Sequence, residues 1–443
     1  MAMRDRDVTA RRRYDDQLRR RLTELLSSEG LQRPVDVDHE GQPTGATRAI
    51  PVEVTEGDGR PAFAAADRVI VPAAQLDRAR SLVMSNVDEA ALPTGEIVSK
   101  PILGTGLYDL RTPFVALPPK VAEELVGPEL RAHRNHLLFA SAYSYRVREG
   151  DDPENAPLPE RDVACDAGRN ARVAILDTGL ARQAASDPWL GDVQVAGRDV
   201  DVLRASGIPT DDLDLGAGHG TFVAGIVRQI APAASIEIIR VLDSNGIGLE
   251  TEIARGLARA IDCEADIVLC AFGGYTTGDE PPSAIEAAVA DVPKHAVIVA
   301  AAGNEHQAAR PLWPASCRGV EAVAALESDG DGTLIMRKGH AALEHYTNTG
   351  PDVRYGAAGR WMSSFVAGKE SPLRETDGHR ETFVNSAIAA GSSFAAAAVA
   401  GAIAAAMDDG CNAVEAWDHV RSRSVFVAGS PIRGIDVWSR EGD

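Results

Sequence analysis

From Arg172 onward, short continuous apolar runs alternate with amphipathic stretches. Val173 to Leu176, Ile267 to Ala271 and Val297 to Ala301 are apolar throughout, and Ile236 to Val241 is interrupted by Glu237 and Arg240 without strict alternation, which predicts strands covered on both faces. Between them the apolar positions recur at helical spacing: Val223, Ile226, Val227 and Ile230 after His219, then Ile253, Leu257 and Ile261, then Ala284 to Ala290. Strands joined by helices in this order predict an α/β fold, a parallel sheet with helices on both faces. Ligands of such sheets bind beyond the carboxyl ends of the strands, where Asp177 and Asn304 fall.

The first third of the chain is patterned differently. Tyr14, Leu18, Leu22 and Leu25 lie at helical spacing among arginines and predict an amphipathic helix over residues 1–28, docked on the rest of the protein. Residues 29–130 read as a small α/β region that begins with a Gly- and Pro-rich loop. It continues with strands at Ile50 to Val54, Arg68 to Val71 and Gly106 to Leu110, a helix carrying Leu76, Ala79 and Val83, and a second helix opened by Pro118. Residues 131–170 read as a connector. Its pair His133 and His136 has a spacing open to a metal but lacks a third ligand, so surface histidines are expected, and Asp151 to Arg161 is an exposed segment open to nicking. Residues 171–443 form the larger domain.

The candidate chemistry sits at three junctions. Gly391-Ser392-Ser393 heads a long Ala-rich helix, so a hydroxyl stands where the first-turn N–H groups and the positive end of the dipole point. A plain N-cap is the alternative reading of that serine. Asp177 ends the apolar run Val173 to Leu176, and His219 opens a helix within Gly218-His219-Gly220-Thr221. The order Asp, His, Ser is one of the recurring triad orders.

With these boxes the chain resembles the subtilisin-like serine peptidases (subtilases) over Ala171 to about Met407, and Val297 to Glu305 resembles the family's oxyanion-hole strand. The resemblance implies Ser393 as nucleophile, because in the family's Gly-Thr-Ser pattern the second hydroxyl residue attacks. It implies His219 as general base, Asp177 as its orienting carboxylate, and Asn304 with the Ser393 N–H as oxyanion donors. Peptide substrate is expected to pair as an added strand with Gly246, Ile247 and Gly248 and with Ala271, Phe272 and Gly273, and Ala301, Ala302 and Gly303 to line the pocket beside the scissile bond. Glu305 stands at that pocket, either favouring a basic substrate side chain or solvated at its rim. Trp313-Pro314 and Tyr346 to Gly350 match further family positions, whereas Ser392 replaces the usual Thr and Ala397 the usual Pro. By position and element type the region before residue 130 resembles the family's prodomain, whose tail lies in the cleft; the chain's own N-terminal region is therefore an expected occupant of that cleft.

Composition narrows the classes. With 443 residues, a formal charge of -20 and a pI near 5.0, the chain lacks the positive face that nucleic acid or anionic membrane would require. The first residues hold no apolar core of signal-peptide length, and no stretch is long enough to span a bilayer. Five scattered cysteines fit free thiols, and a cytoplasmic location is expected. No cofactor is expected. Asp329 to Gly332 and Asp211, Asp212 and Asp214 have oxygens suited to calcium but no full ligand set, and read as solvated turns. Three functions remain: a serine endopeptidase regulated by its N-terminal region, a catalytically silent peptide-binding scaffold, and a dedicated peptide-maturation protease or ligase.

Overall fold

The computed structural model describes residues 20, 23–24, 26, 31–34, 47–55, 61–86, 97–112, 116–140, 144–146, 165–193, 195–204, 211–374, 380–407 and 410–438. The N-terminal region is built from β1 (Val52–Thr55), β2 (Ala62–Pro72), α1 (Leu76–Ser85), β3 (Val98–Ile102), β4 (Leu107–Arg111), α2 (Pro119–Val126) and β5 (His133–Ala140). The strands pair antiparallel, with β2 between β4 and β5, β3 outside β4, and β1 also on β2. The helices α1 and α2 bury Ala79, Val83, Val121 and Leu125 against Val69, Val71 and Leu110 of the sheet. Of the amphipathic helix expected over residues 1–28, Arg20, Thr23, Glu24 and Leu26 are described; all four are helical, and Leu26 is buried in one cluster with Ile50, Phe63 and Leu137.

The larger domain follows: β6 (Arg172–Asp177), α3 (His219–Ile230), β7 (Ser235–Arg240), β8 (Ile247–Leu249), α4 (Glu250–Asp262), β9 (Ile267–Cys270), β10 (Phe272–Gly273), α5 (Ser283–Asp291), β11 (Val297–Ala301), β12 (Val320–Leu326), β13 (Val353–Ala358), β14 (Arg360–Ser364), β15 (Ser386–Ala390), α6 (Ser392–Ala406), α7 (Ala413–Ser422), β16 (Val425–Phe426) and β17 (Arg433–Ile435). Its main sheet has the order β7-β6-β9-β11-β12-β13-β17-β16, parallel throughout except for the last pair.

The lack of alternation in the strands has a direct cause. Val173 and Ile175 of β6 face a core shared with α3 and α6, whereas Ala174 and Leu176 face a second core shared with α4 and α5. Each residue of β6 after Arg172 is therefore buried whichever way it points. The Ala-rich α6 lies close on α3: a Cβ added at Gly401 would meet the Ile230 Cβ at 3.0 Å. Bulkier residues on this face of α6 would push it away from α3.

One expectation is corrected here. Residues 133–140, read as the start of a connector with surface histidines, form β5, a strand in the middle of the N-terminal sheet. Residues three apart on a strand point to opposite faces, so His133 and His136 cannot grip one ion. His133 is exposed, while His136 is buried with Nδ1 3.4 Å from Glu250 Oε2 and Nε2 accepting the Thr277 N–H at 3.2 Å. The segment Asp151 to Arg161, expected to be exposed, lies outside the described residues.

Candidate active site

Asp177 ends β6 and His219 is the first residue of α3, so the parallel sheet and the helix resting on it bring together groups 42 positions apart. His219 Nδ1 lies 2.8 Å and 2.9 Å from the two Asp177 oxygens. Neither residue is exposed. An ionised carboxylate accepts only, so Nδ1 carries the proton and the tautomer places the imidazole lone pair on Nε2. Asp177 Oδ1 also accepts the Thr178 N–H at 2.7 Å. The Phe394 ring lies 5.7 Å from the imidazole, centroid to centroid, and itself packs on Phe222 at 4.6 Å, so an apolar stack backs the base.

Ser392 and Ser393 open α6 and both are fully buried. Their hydroxyls have different partners. Ser392 Oγ accepts the Gly303 N–H at 3.0 Å, tying the head of α6 to the end of β11. The Ser393 hydroxyl donates to the Ala271 carbonyl at 2.7 Å, the residue between β9 and β10. Asn304 Oδ1 accepts the Ser392 N–H at 2.9 Å, which makes Nδ2 the donating end of that amide. The carboxylate, imidazole, hydroxyl and amide expected of the site thus sit at the carboxyl ends of β6, β9 and β11 and the N-termini of α3 and α6.

Of the six residues expected to bind substrate as an added strand, all but Ala271 are paired with β5 of the chain itself. Ile247, Gly248 and Leu249 of β8 lie antiparallel to Phe139, Leu138 and Leu137 of β5; Phe272 and Gly273 of β10 lie antiparallel to Ala140 and Phe139. The Ala140 N–H donates to the Gly246 carbonyl at 2.7 Å. Ala271 enters through its carbonyl only. Leu138 is buried in the cluster that holds Phe272, Leu242, Ile253 and Trp313. Just before Ser393 in the sequence, Ile388, Ala389 and Ala390 of β15, which continues through Gly391 into α6, run antiparallel to residues 144–146. Of the expected pocket wall, Gly303 (φ +101°) makes the turn before Asn304, whereas Ala301 and Ala302 are buried in packing clusters. Glu305 accepts the Asn304 N–H at 3.0 Å and an Asn348 side-chain N–H at 3.2 Å, so it braces the turn that carries Asn304 and is not merely solvated at the rim.

Residues that the sequence reading missed surround the pair. Asp201, buried in the chain between β6 and α3, accepts hydrogen bonds from Thr178, Leu203 and Gly218; burial pushes its carboxyl up to about 6 against the opposing effect of these donors and of Arg240. Cys270, at the end of β9, has its thiol raised by burial first and by the neighbouring Cys317 and Asp177 second, which keeps it protonated and no rival nucleophile. Asp212 pairs with Arg380 at 2.7 Å and Asp214 accepts from Ser244, while the Asp331 carboxylate closes a turn on the Thr333 N–H at 2.9 Å. Among the described residues no three His, Cys, Asp or Glu gather as a metal site, and no helix is long and apolar enough to cross a membrane.

A doubly covered parallel sheet that presents a carboxylate–imidazole pair, a serine at a helix N-terminus and an asparagine amide at adjacent strand ends defines a serine-hydrolase type of site. The model of the subtilase family matches residues 168–425, more than half of the chain, and the protein belongs to that family. Thermitase of Thermoactinomyces vulgaris is 31% identical over 198 residues, covering 42% of this chain and 66% of thermitase. Subtilisin E of Bacillus subtilis is 31% identical over 200 residues, covering 43% of this chain and 48% of subtilisin E. The chain thus spans about half to two thirds of the length of these relatives. Among solved structures, fervidolysin from Fervidobacterium pennivorans superposes with a TM-score of 0.59 at 17% identity, covering 87% of this chain and 61% of fervidolysin, which supports the subtilisin-like fold.

Proposed function

We propose that this protein is a serine endopeptidase whose N-terminal region occupies its own cleft. The observation that carries the reading is the buried His219 Nδ1 held between both oxygens of Asp177, on an imidazole that packs against Phe394 near the head of α6. A serine hydroxyl is a weak nucleophile at neutral pH, so Nε2 takes its proton as Ser393 Oγ bonds to a peptide carbonyl carbon. The developing imidazolium is stabilised by Asp177. The oxyanion takes hydrogen bonds from Asn304 Nδ2 and the Ser393 N–H; His219 then returns the proton to the departing amine as the C–N bond breaks, and water repeats the cycle on the acyl-enzyme.

The resting bond of Ser393 to Ala271 fits this cycle. A substrate strand continuing the β5–β10 ladder by one residue would oppose Ala271, the carbonyl that now holds the hydroxyl. Taking over that carbonyl releases Oγ for a rotation about χ1 toward the imidazole. Regulation by the N-terminal region is supported by β5, which lies between the two edges that a peptide would need, and by residues 144–146, which lie on β15 just before the nucleophile in the sequence. Ala140 pairs with Phe272 on one side and Ser144 with Ala390 on the other, and self-cleavage is expected between these two residues in the sequence. Leu138, buried among Phe272, Leu242 and Trp313, supports a preference for a large aliphatic side chain at its position in substrates.

A fluorophosphonate probe tests the activity. Labelling is expected once the N-terminal region has been released, and it should vanish in Ser393→Ala; an unlabelled wild type, or labelling that survives the substitution, defeats the proposal. Intact masses of wild type and Ser393→Ala after prolonged incubation test self-cleavage, with a cut between Ala140 and Ser144 expected in wild type only.

A further inference from the structure

Asp201 is a buried carboxylate with no direct place in the cycle above. It ends a two-residue strand, Val200–Asp201, paired in parallel with Leu180–Ala181 just beyond Asp177. It is 2% exposed, and three donors converge on it. Oδ2 accepts the Gly218 N–H at 2.8 Å and the Thr178 hydroxyl at 3.0 Å, and Oδ1 accepts the Leu203 N–H at 2.9 Å. The Thr178 oxygen in turn accepts the Gly220 N–H at 3.1 Å.

These partners are the immediate neighbours of the proposed catalytic pair. Gly218 and Gly220 flank His219, and Thr178 follows Asp177, whose carboxylate takes the Thr178 N–H. A closed ring results: Asp177 to Thr178, Thr178 to Asp201, Asp201 to Gly218, and His219 back to Asp177. Gly218 has φ +80°, and a Cβ there would meet the Phe365 ring at 2.8 Å, so the turn that aims the imidazole is confined and is fixed by the bond on its N–H.

We infer that Asp201 is a positioning residue: its ionised carboxylate locks the turn bearing His219 to the loop bearing Asp177, and so keeps Nδ1 on the Asp177 oxygens. The inference rests on the peptidase reading of that pair. A carboxylate suits the place because everything that reaches it is a donor. An amide would turn an NH2 group against the Gly218 N–H, the Thr178 hydroxyl or the Leu203 N–H in a dry interior, leaving at least one donor without an acceptor. The charged group facing Asp201 is Arg240 at the end of β7, whose Nη1 donates to the Val200 carbonyl at 2.8 Å. Asp177 and His219 lie one residue beyond its partners, and Asp199 is held by Arg259 at 2.7 Å and 2.8 Å.

The test compares Asp201→Asn, Thr178→Val and Thr178→Ser with wild type in the full chain. The first readout needs no turnover: the downfield proton resonance of His219 Nδ1–H, observed with nitrogen-labelled histidine and assigned by its loss in His219→Gln. Asp201→Asn and Thr178→Val are expected to shift or broaden it, and Thr178→Ser, which keeps the hydroxyl, to leave it in place. The second readout is peptide hydrolysis after release of the N-terminal region, where kcat should fall tenfold or more in the first two variants with KM changed less than twofold. The acid limb of the kcat profile should also lose one proton in Asp201→Asn.

If wild type released from its N-terminal region neither labels nor hydrolyses, the peptidase reading fails while the resonance still decides the role of Asp201. An Nδ1–H signal, kcat and acid limb all unmoved in Asp201→Asn would overturn the positioning role. Should Asp201→Asn not fold, equal effects of Thr178→Val and Thr178→Ser would do the same.

Discussion

The two sides of the cleft are completed to different degrees. On the acid–imidazole side the groups are already engaged as the chemistry requires: both Asp177 oxygens meet Nδ1, and Thr178 and Asp201 fasten the surrounding backbone. On the nucleophile side Asn304 is anchored through Oδ1, but the Ser393 hydroxyl rests on a backbone carbonyl instead of on the base. The difference follows from what each side meets during a reaction. In the proposed cycle the acid keeps one fixed hydrogen bond to the imidazole and stabilises the imidazolium without taking its proton, whereas the hydroxyl waits in a bond that an arriving strand can replace. The largest break in this comparison is Ser393→Ala. It should lower kcat by about 10⁴- to 10⁶-fold while leaving the His219 Nδ1–H resonance where it is, because the hydroxyl is bonded to the Ala271 carbonyl, whereas Nδ1 is held by Asp177. A resonance that moved with the hydroxyl's removal would mean the two sides are one unit.

Asn304→Ala sharpens the same contrast with a smaller effect. It removes one prearranged donor to the oxyanion and, with it, the acceptor for the Ser392 N–H at the head of α6. A loss of about 10²- to 10³-fold in kcat is expected, as for other single oxyanion donors, with KM nearly unchanged because the donor meets charge that develops only in the transition state. Steady-state kinetics on one peptide substrate decides it. A rise in KM at constant kcat would instead assign Asn304 to ground-state binding.

The parallel sheet was legible because its strands are covered twice: Val173 to Leu176 is apolar at every position, and its two faces meet different helices. The positions of Asp177, His219 and Ser393 at a strand end or helix start were legible for a related reason, since each stands within a short local pattern of glycines. β5 was not. Its Asn135 and His136 look like surface residues, yet Asn135 Nδ2 donates to Thr251 Oγ1 from 116 positions away and His136 faces Glu250 114 positions away, partners that no local window contains. Asp201 was missed in the same way, because an aspartate in a loop reads as solvated until donors 23 and 17 positions distant, Thr178 and Gly218, close around it.

Asp201 also gives the acid–imidazole side a dependence on pH that the nucleophile side lacks. Its carboxyl has an ordinary value of 3.8 and is pushed up to about 6 in the folded protein, burial being the larger cause and the N–H and O–H donors opposing it. The folded state therefore binds this proton more tightly than the unfolded chain. The resulting stabilisation is full below pH 3.8 and is lost as the pH rises through about 6, a change of about 3 kcal/mol. Positioning requires the opposite form, since only the ionised carboxylate accepts from all three donors. Stability and alignment thus pull against each other at this residue. Urea unfolding from pH 4 to pH 7 should reveal it, with Ser393→Ala as the background to prevent self-digestion and Ser393→Ala/Asp201→Asn as the comparison. The background is expected to lose stability relative to the double variant across that window, while Asp109, also raised by burial, contributes equally to both. Parallel curves would mean that Asp201 titrates alike in the folded and unfolded chains, and that the acid–imidazole side is held at no cost in stability.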